Sequence, residues 1–87
     1  MKTFQMRIIT PEGVQFDGEA VSVILRTVDG DMGIYAGHIP CTAALGNGAV
    51  RLRTAAGEQK GHCAGGIAAV EKDGVRILTE RFDWDEG

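Results

Sequence analysis

The stretch Ala49-Val50-Arg51-Leu52-Arg53-Thr54 carries the plainest signal in the chain: Val50, Leu52 and Thr54 fall on one side, Arg51 and Arg53 on the other. A period of two is the mark of a strand with one face buried and one face wet. Working outward, Ala55-Ala56-Gly57 is expected to reverse the chain into a strand over residues 58–64, while Gly46-Asn47-Gly48 reads as a turn after a strand over 41–45. Gly65-Gly66 is expected to separate residues 58–64 from a strand over 67–71. Lys72-Asp73-Gly74 carries hairpin chemistry, and residues 75–82 read as the final strand.

Towards the amino terminus the same period places Phe4, Met6 and Ile8 on one face and Gln5 and Arg7 on the other. Thr10-Pro11-Glu12-Gly13 ends that strand, with proline pre-setting φ for the turn and glycine favoured at its fourth position. A short strand over 14–16 then leads through a turn at Asp17-Gly18 into a long run over 19–28, with Val21, Val23 and Leu25 as its apolar face. Asp29-Gly30-Asp31-Met32-Gly33 reads as an exposed, polar loop. Ile34-Tyr35 is briefly extended, and Pro40 keeps the segment Ala36-Gly37-His38-Ile39-Pro40 out of any central strand.

Short strands at close, even spacing predict an all-β fold, a sandwich of two antiparallel sheets with no helix. Residues 1–82 are expected to form this single domain. The acidic tail Asp83-Trp84-Asp85-Glu86-Gly87 is expected to fray, with Trp84 exposed.

Composition narrows the function. Of 87 residues, 44% are hydrophobic and 24% charged, which suits a folded domain and not a charge-rich disordered segment. Nine Lys and Arg against twelve Asp and Glu leave a net charge of −3, with the basic residues scattered, so nucleic acid is not an expected partner. The longest apolar stretch, residues 21–25, falls far short of the roughly 20 residues that span a bilayer. No apolar run follows residues 1–7 as a secretory signal requires, and a cytoplasmic setting is the default. Cys41 and Cys63 have no CxxC spacing and are expected to be reduced, partly buried thiols.

The chemistry-bearing residues yield no active site. His38 could present an imidazole as a general base, but no serine or cysteine stands in a nucleophile elbow to use it. His62 and Cys63 are strand neighbours pointing to opposite faces, which is unsuitable for a shared metal. Gly65-Gly66 matches no phosphate-binding pattern and reads better as a bulge or a close backbone approach. Asp29 and Asp31 have a calcium-like spacing without the distal glutamate of a calcium loop. No catalytic residue, metal ligand or cofactor is therefore assigned, and a solvated acidic turn stands beside an acidic docking loop as readings of residues 29–33.

Three blocks carry a resemblance: Thr10-Pro11-Glu12-Gly13 with Phe16-Asp17-Gly18; Asp29-Gly30-Asp31-Met32-Gly33-Ile34-Tyr35-Ala36-Gly37-His38-Ile39-Pro40; and Gly65-Gly66-Ile67. In that order and spacing the chain resembles the amino-terminal domain of the epsilon subunit of F-type ATP synthases, whose members typically show an acidic-Gly-acidic-apolar-Gly loop before a Pro-Gly-His-x-Pro segment. The resemblance covers residues 4–78. It implies a sandwich attached to the gamma subunit and resting on the c ring at the cytoplasmic face of the membrane, coupling proton-driven rotation to ATP synthesis without binding nucleotide. It also implies that Asp29, Gly30, Asp31, Met32, Gly33 and His38 form the c-ring contact. Ala36 departs from the usual proline, and Ala64 from the usual serine before Gly65. The sequence stops at Gly87, ahead of the two-helix carboxyl-terminal domain of many members, so that domain's inhibitory hairpin and ATP site are not assigned here. The competing reading is a free-standing β-sandwich module for a small ligand or peptide; the five scattered aromatic residues speak against an aromatic platform.

With no disulfide assigned, adding a reductant is expected to leave the melting temperature unchanged when unfolding is followed by circular dichroism. A large drop would overturn that assignment.

Overall fold

The computed structural model describes residues 2–85. Eight strands follow one another: β1 (Phe4–Thr10), β2 (Gly13–Ala20), β3 (Ser22–Thr27), β4 (Gly30–Tyr35), β5 (Cys41–Thr54), β6 (Gly57–Glu71), β7 (Gly74–Leu78) and β8 (Phe82–Trp84). They form one hydrogen-bonded path, β2-β1-β7-β6-β5-β3-β4, with β8 added to β6. The result is the expected β-sandwich, with no helix among the described residues. Every pairing is antiparallel except β1 with β7, which is parallel.

Two strands are too long for one layer. The carboxyl-terminal part of β6 and the amino-terminal part of β5 join β7, β1 and β2; the other halves join β3, β4 and β8. The two expected turns at Gly46-Asn47-Gly48 and Gly65-Gly66 are therefore not turns. Both lie inside continuous strands and sit opposite one another, with Leu45 paired to Gly66 and Asn47 to Ala64. The register between β3 and β5 slips at the same place, between Leu25 and Thr27. These bulges bend the ladder so that its two halves can face each other.

Gly66 shows why glycine is needed at the bend. Its φ is +116°, and a Cβ there would stand 2.0 Å from the Leu78 carbonyl oxygen. Thr79 fastens the bend: its hydroxyl donates to the Gly65 carbonyl at 2.6 Å, and its N–H bonds the Ile9 carbonyl at 3.0 Å. The single final strand expected over residues 75–82 is split for the same reason. β7 pairs with β6 beyond the bend and β8 pairs with β6 before it, so the chain leaves the ladder at residues 79–81 and rejoins it.

Strand boundaries near the amino terminus also differ from expectation. Asp17-Gly18 is not a turn, because β2 stays paired to β1 as far as Ala20 opposite Phe4. The chain changes layers at Val21, whose N–H bonds the Arg53 carbonyl at 2.7 Å, so Val21 is a half-buried bend and not part of an apolar strand face. Asp83 and Trp84, expected to fray, form part of β8; Glu86 and Gly87 lie outside the described residues.

Inward side chains build one core that includes Met6, Ile8, Val23, Leu25, Val50, Leu52, Val75 and Ile77, all essentially inaccessible. Both cysteines are free; Cys63 is buried, whereas Cys41 is exposed, because it opens β5 at the end of the layer. Burial pushes the Cys63 thiol above its ordinary pKa, partly opposed by a backbone hydrogen bond.

Gly66→Ala is expected to cost more than about 3 kcal/mol, since it adds a backbone clash to a strained φ. Gly57→Ala, at φ +134° but with nothing within 4 Å of the added carbon, is expected to cost about 1 kcal/mol. Urea unfolding of the two variants compares them directly; equal losses would remove the bend from its assigned role.

Candidate functional site

The β3–β4 hairpin carries most of the residues singled out for a docking role. Its turn is Val28-Asp29, flanked by the paired Thr27 and Gly30. The Thr27 hydroxyl donates to the Gly30 carbonyl at 2.7 Å and accepts the Asp29 N–H at 3.1 Å, fixing both sides of the reversal. The turn residues keep negative φ, and Gly30, at φ +121°, restores the strand twist. Thr10-Pro11-Glu12-Gly13 and Thr54-Ala55-Ala56-Gly57 repeat the device with the same hydroxyl contacts.

Residues 30–33 were expected in a loop but belong to β4, an edge strand paired only with β3. Met32 lies opposite Leu25 and packs on the core, and Ile34 is buried, so this segment has a period of two that its glycines conceal. Asp31 and Gly33 point outward with Tyr35, whose ring lies over Gly33. Asp31 faces Arg26 in register, with 3.3 Å between carboxylate and guanidinium. Both side chains are more than half exposed, so the pair contributes well under ~1 kcal/mol. Asp29 stands exposed at the tip.

His38 is not a neighbour of that tip. Gly30 pairs with Thr27 at one end of β4 and Tyr35 with Ser22 at the other, about 17 Å apart along the strand. After the turn at Ala36-Gly37, with Gly37 at φ +83°, the His38 Nδ1 donates to the Tyr35 carbonyl. The imidazole meets the Phe4 ring edge-on at 5.7 Å, which ties the β4–β5 connection to β1. Its Nε2 is shielded from solvent and has no hydrogen-bond partner among the described residues. Ile39 beyond it is 83% exposed. The arrangement braces a loop and offers no nucleophile to an imidazole base. Ala36, which replaces the expected proline, is half-buried and packs against the core.

Sequence reasoning missed one concavity. Aromatic residues scattered along the chain converge in space: Trp84 meets Phe82 edge-on at 4.7 Å and Phe16 at 6.2 Å. Phe16 and Trp84, with Gln15, Glu58, Gln59, Lys60 and Asp85, line an open groove between β2 and the β6–β8 edge, and Phe82 lies buried behind them. The available signal was Phe82-Asp83-Trp84, where spacing by two places both rings on one strand face. Asp85 is held there by its N–H to the Lys60 carbonyl at 2.9 Å and by its carboxylate against His62 Nδ1 at 2.9 Å. Among the described residues, no three His, Cys, Asp or Glu side chains are grouped to hold a metal ion.

Comparison with known proteins bears on this geometry. The family model for the ATP synthase delta/epsilon chain β-sandwich domain matches residues 3–85. The ATP synthase epsilon chain of Alkalihalophilus pseudofirmus is 41% identical over 80 residues, covering 92% of this chain and 60% of that protein. That of Bacillus subtilis is 39% identical over 87 residues, covering 100% and 66%. The sodium-ion-specific epsilon chain of Propionigenium modestum is 36% identical, covering 92% and 58%. The chain thus spans about three-fifths of the length of the curated relatives it matches. A chain of the Euglena gracilis mitochondrial ATP synthase superposes with a TM-score of 0.88 at 21% identity, covering 94% of this chain and 53% of that one. A chain of the Tetrahymena thermophila central stalk and c ring gives 0.75 at 16% identity, covering 93% and 66%. At these identities the two structures bear on the fold alone.

Thr27→Val is expected to destabilise by about 1 kcal/mol, because it strips both hydroxyl contacts from the hairpin. Asp31→Asn is expected to change stability by less than about 0.5 kcal/mol. Thermal melts of both variants test the order, and the reverse order would make the Arg26–Asp31 pair the fastener of the tip.

Proposed function

The chain belongs to the ATP synthase delta/epsilon chain β-sandwich family, and on that premise we propose that it is a non-catalytic component of the central stalk of an F-type ATP synthase. In this reading it binds the gamma subunit and rests on the c ring at the cytoplasmic face of the membrane. The observation that carries the proposal is the family match over residues 3–85, supported by relatives that share 36–41% identity. A rotor component must be stiff and must present fixed contacts. The continuous hydrogen-bonded path through seven strands, with β8 joined to β6, suits the first requirement, and the fastened β3–β4 tip suits the second.

Asp29 and Gly30 at the tip, with Asp31, Met32 and Gly33 along the adjoining edge strand, are the proposed ring contact. Asp29 contributes an exposed carboxylate, and Asp31 a carboxylate shared with Arg26. Facing basic side chains on the ring would gain on the order of 1 kcal/mol per exposed pair, weakened by salt. Met32 belongs to the contact through the backbone it holds against the core. His38 contributes from the far end of β4 by bracing the exposed Ile39-Pro40 segment. In this assignment the chain binds no nucleotide and moves no proton itself; it transmits rotation.

A ligand- or peptide-binding module is the second reading, favoured by the groove between Phe16 and Trp84. Phe82, buried beneath Trp84, makes that cluster an extension of the core as much as a platform.

The double reversal Asp29→Arg with Asp31→Arg separates docking from folding. Expected are an unfolding free energy within about 1 kcal/mol of wild type, the cost of setting Arg beside Arg26, and loss of ring attachment and proton pumping in the reconstituted complex. Intact pumping would remove this hairpin from the ring contact; collapse of the isolated domain would place its role in the fold.

A further inference from the structure

A strand that ends a sheet presents a row of backbone groups without partners, and such edges are usually guarded by lysine, proline, a bulge or shortness. At one end of the strand path β2 is guarded, since its register with β1 slips between Ile8 and Ile9. The other end, β4, is not. It carries no lysine and no proline, and its six residues pair with β3 from Tyr35 opposite Ser22 to Gly30 opposite Thr27 without a slip. Because the two-residue turn makes Thr27 and Gly30 a hydrogen-bonded pair, the backbone groups of Gly30, Met32 and Ile34 are spent on β3. Those of Asp31, Gly33 and Tyr35 point to the open side. Among the described residues only the Tyr35 carbonyl finds a partner there, the His38 Nδ1.

The free groups are symmetric about Gly33. With a second β4 laid antiparallel to the first and the twofold axis at Gly33, each Gly33 exchanges N–H···O bonds with its counterpart, and each Tyr35 N–H meets the Asp31 carbonyl opposite. The side chains agree with this register. On the core side Met32, which packs on the core, comes opposite Ile34 of the other copy, so the two apolar layers continue into each other. On the outer side Asp31 stands opposite Tyr35, whose ring lies over Gly33 and so roofs the glycine pair. Glycine leaves no side chain to collide on the axis. The two Asp31 carboxylates stay about 13 Å apart along the strands. Sliding the pairing one step toward the tip sets Asp31 opposite Gly33 and brings the like charges within two residues of each other, which selects the register centred on Gly33.

We propose that β4 is a self-association edge: two copies of the chain pair antiparallel through residues 31–35 about an axis at Gly33 and join into one sheet. A second copy is the occupant because one edge supplies both halves of the match, the donors and acceptors as well as Met32 and Ile34, as an isologous twofold contact demands. Six residues of strand fall short of the roughly 800 Å² per partner of a stable interface, so the pairing is weak and reversible. The proposal stands apart from the central-stalk reading. Where that reading holds, self-pairing covers Asp31 and Gly33 of the proposed ring contact, so it belongs to the unassembled chain and excludes ring docking.

Sedimentation of the full chain over a rising concentration series tests this. The wild type is expected to pass reversibly from monomer to dimer. Gly33→Lys and Gly33→Asp are each expected to weaken dimerisation at least tenfold, because like charges then meet on the axis, and an equimolar mixture of the two is expected to recover it as a mixed dimer. The atoms nearest to the added carbon are those of the Tyr35 ring, at 3.3 Å, a side chain free to move. Melting temperatures monitor folding. If a variant at position 33 melts early, Tyr35→Asp serves in its place: at an exposed position it sets a carboxylate opposite Asp31 and is expected to weaken dimerisation several-fold. A wild type that stays monomeric at millimolar concentration would overturn the proposal. So would dimers that ignore all three substitutions, a mixture that fails to recover, or growth past the dimer, which means open-ended pairing through another edge.

Discussion

The ladder between β5 and β6 runs through both layers, and the way it bends decides how the two faces meet. Thirteen residue pairs join the strands, from Cys41 opposite Val70 to Thr54 opposite Gly57. A straight ladder of that length would be an open sheet with one apolar face in water. At Gly46 and Gly65 the ladder folds, and Val50 and Leu52 of one half come to share a core with Val70 and Ala68 of the other. Thr79 locks the fold from the side, and the Leu78 carbonyl occupies the space that a Cβ on Gly66 would need. The close approach is thus a condition for burying the core.

Around that bend the hairpins are built from one economical device. Threonine before the turn and a positive-φ glycine after it recur at residues 10–13, 27–30 and 54–57. Since the hydroxyl fixes the backbone on both sides, the two intervening residues are free to vary: Pro11-Glu12, Val28-Asp29 and Ala55-Ala56. Surface chemistry at the tips can therefore change without loss of the reversal. That separation is what allows an acidic tip on β3–β4 to serve as a contact.

Fold class, the alternating strands and the hairpins at Pro11-Glu12, Ala55-Ala56 and Lys72-Asp73 were legible, because period-two burial and turn chemistry are local properties. The bend was not. Glycine pairs look alike whether they end a strand or kink one, and only the pairing partner tells them apart, a fact of tertiary structure absent from any window of sequence. The same ambiguity hid β4, whose glycines suggested a loop although Met32 and Ile34 face the core. The six residues singled out for docking proved to occupy two places, since proximity in sequence along an extended strand means distance in space. The aromatic groove was invisible for the complementary reason: its members are far apart in the chain and meet only through register.

The parallel β1–β7 pairing constrains the order in which the domain can be made. A hairpin forms as soon as its second strand exists, but β1 must wait for residues 74–78 before its second edge is covered. During synthesis the β1–β2 hairpin therefore carries Met6 and Ile8 with no opposing layer. The core cannot close until nearly the whole domain has left the ribosome. A nascent chain halted before β7 would be sticky, open-edged material, a natural substrate for chaperones.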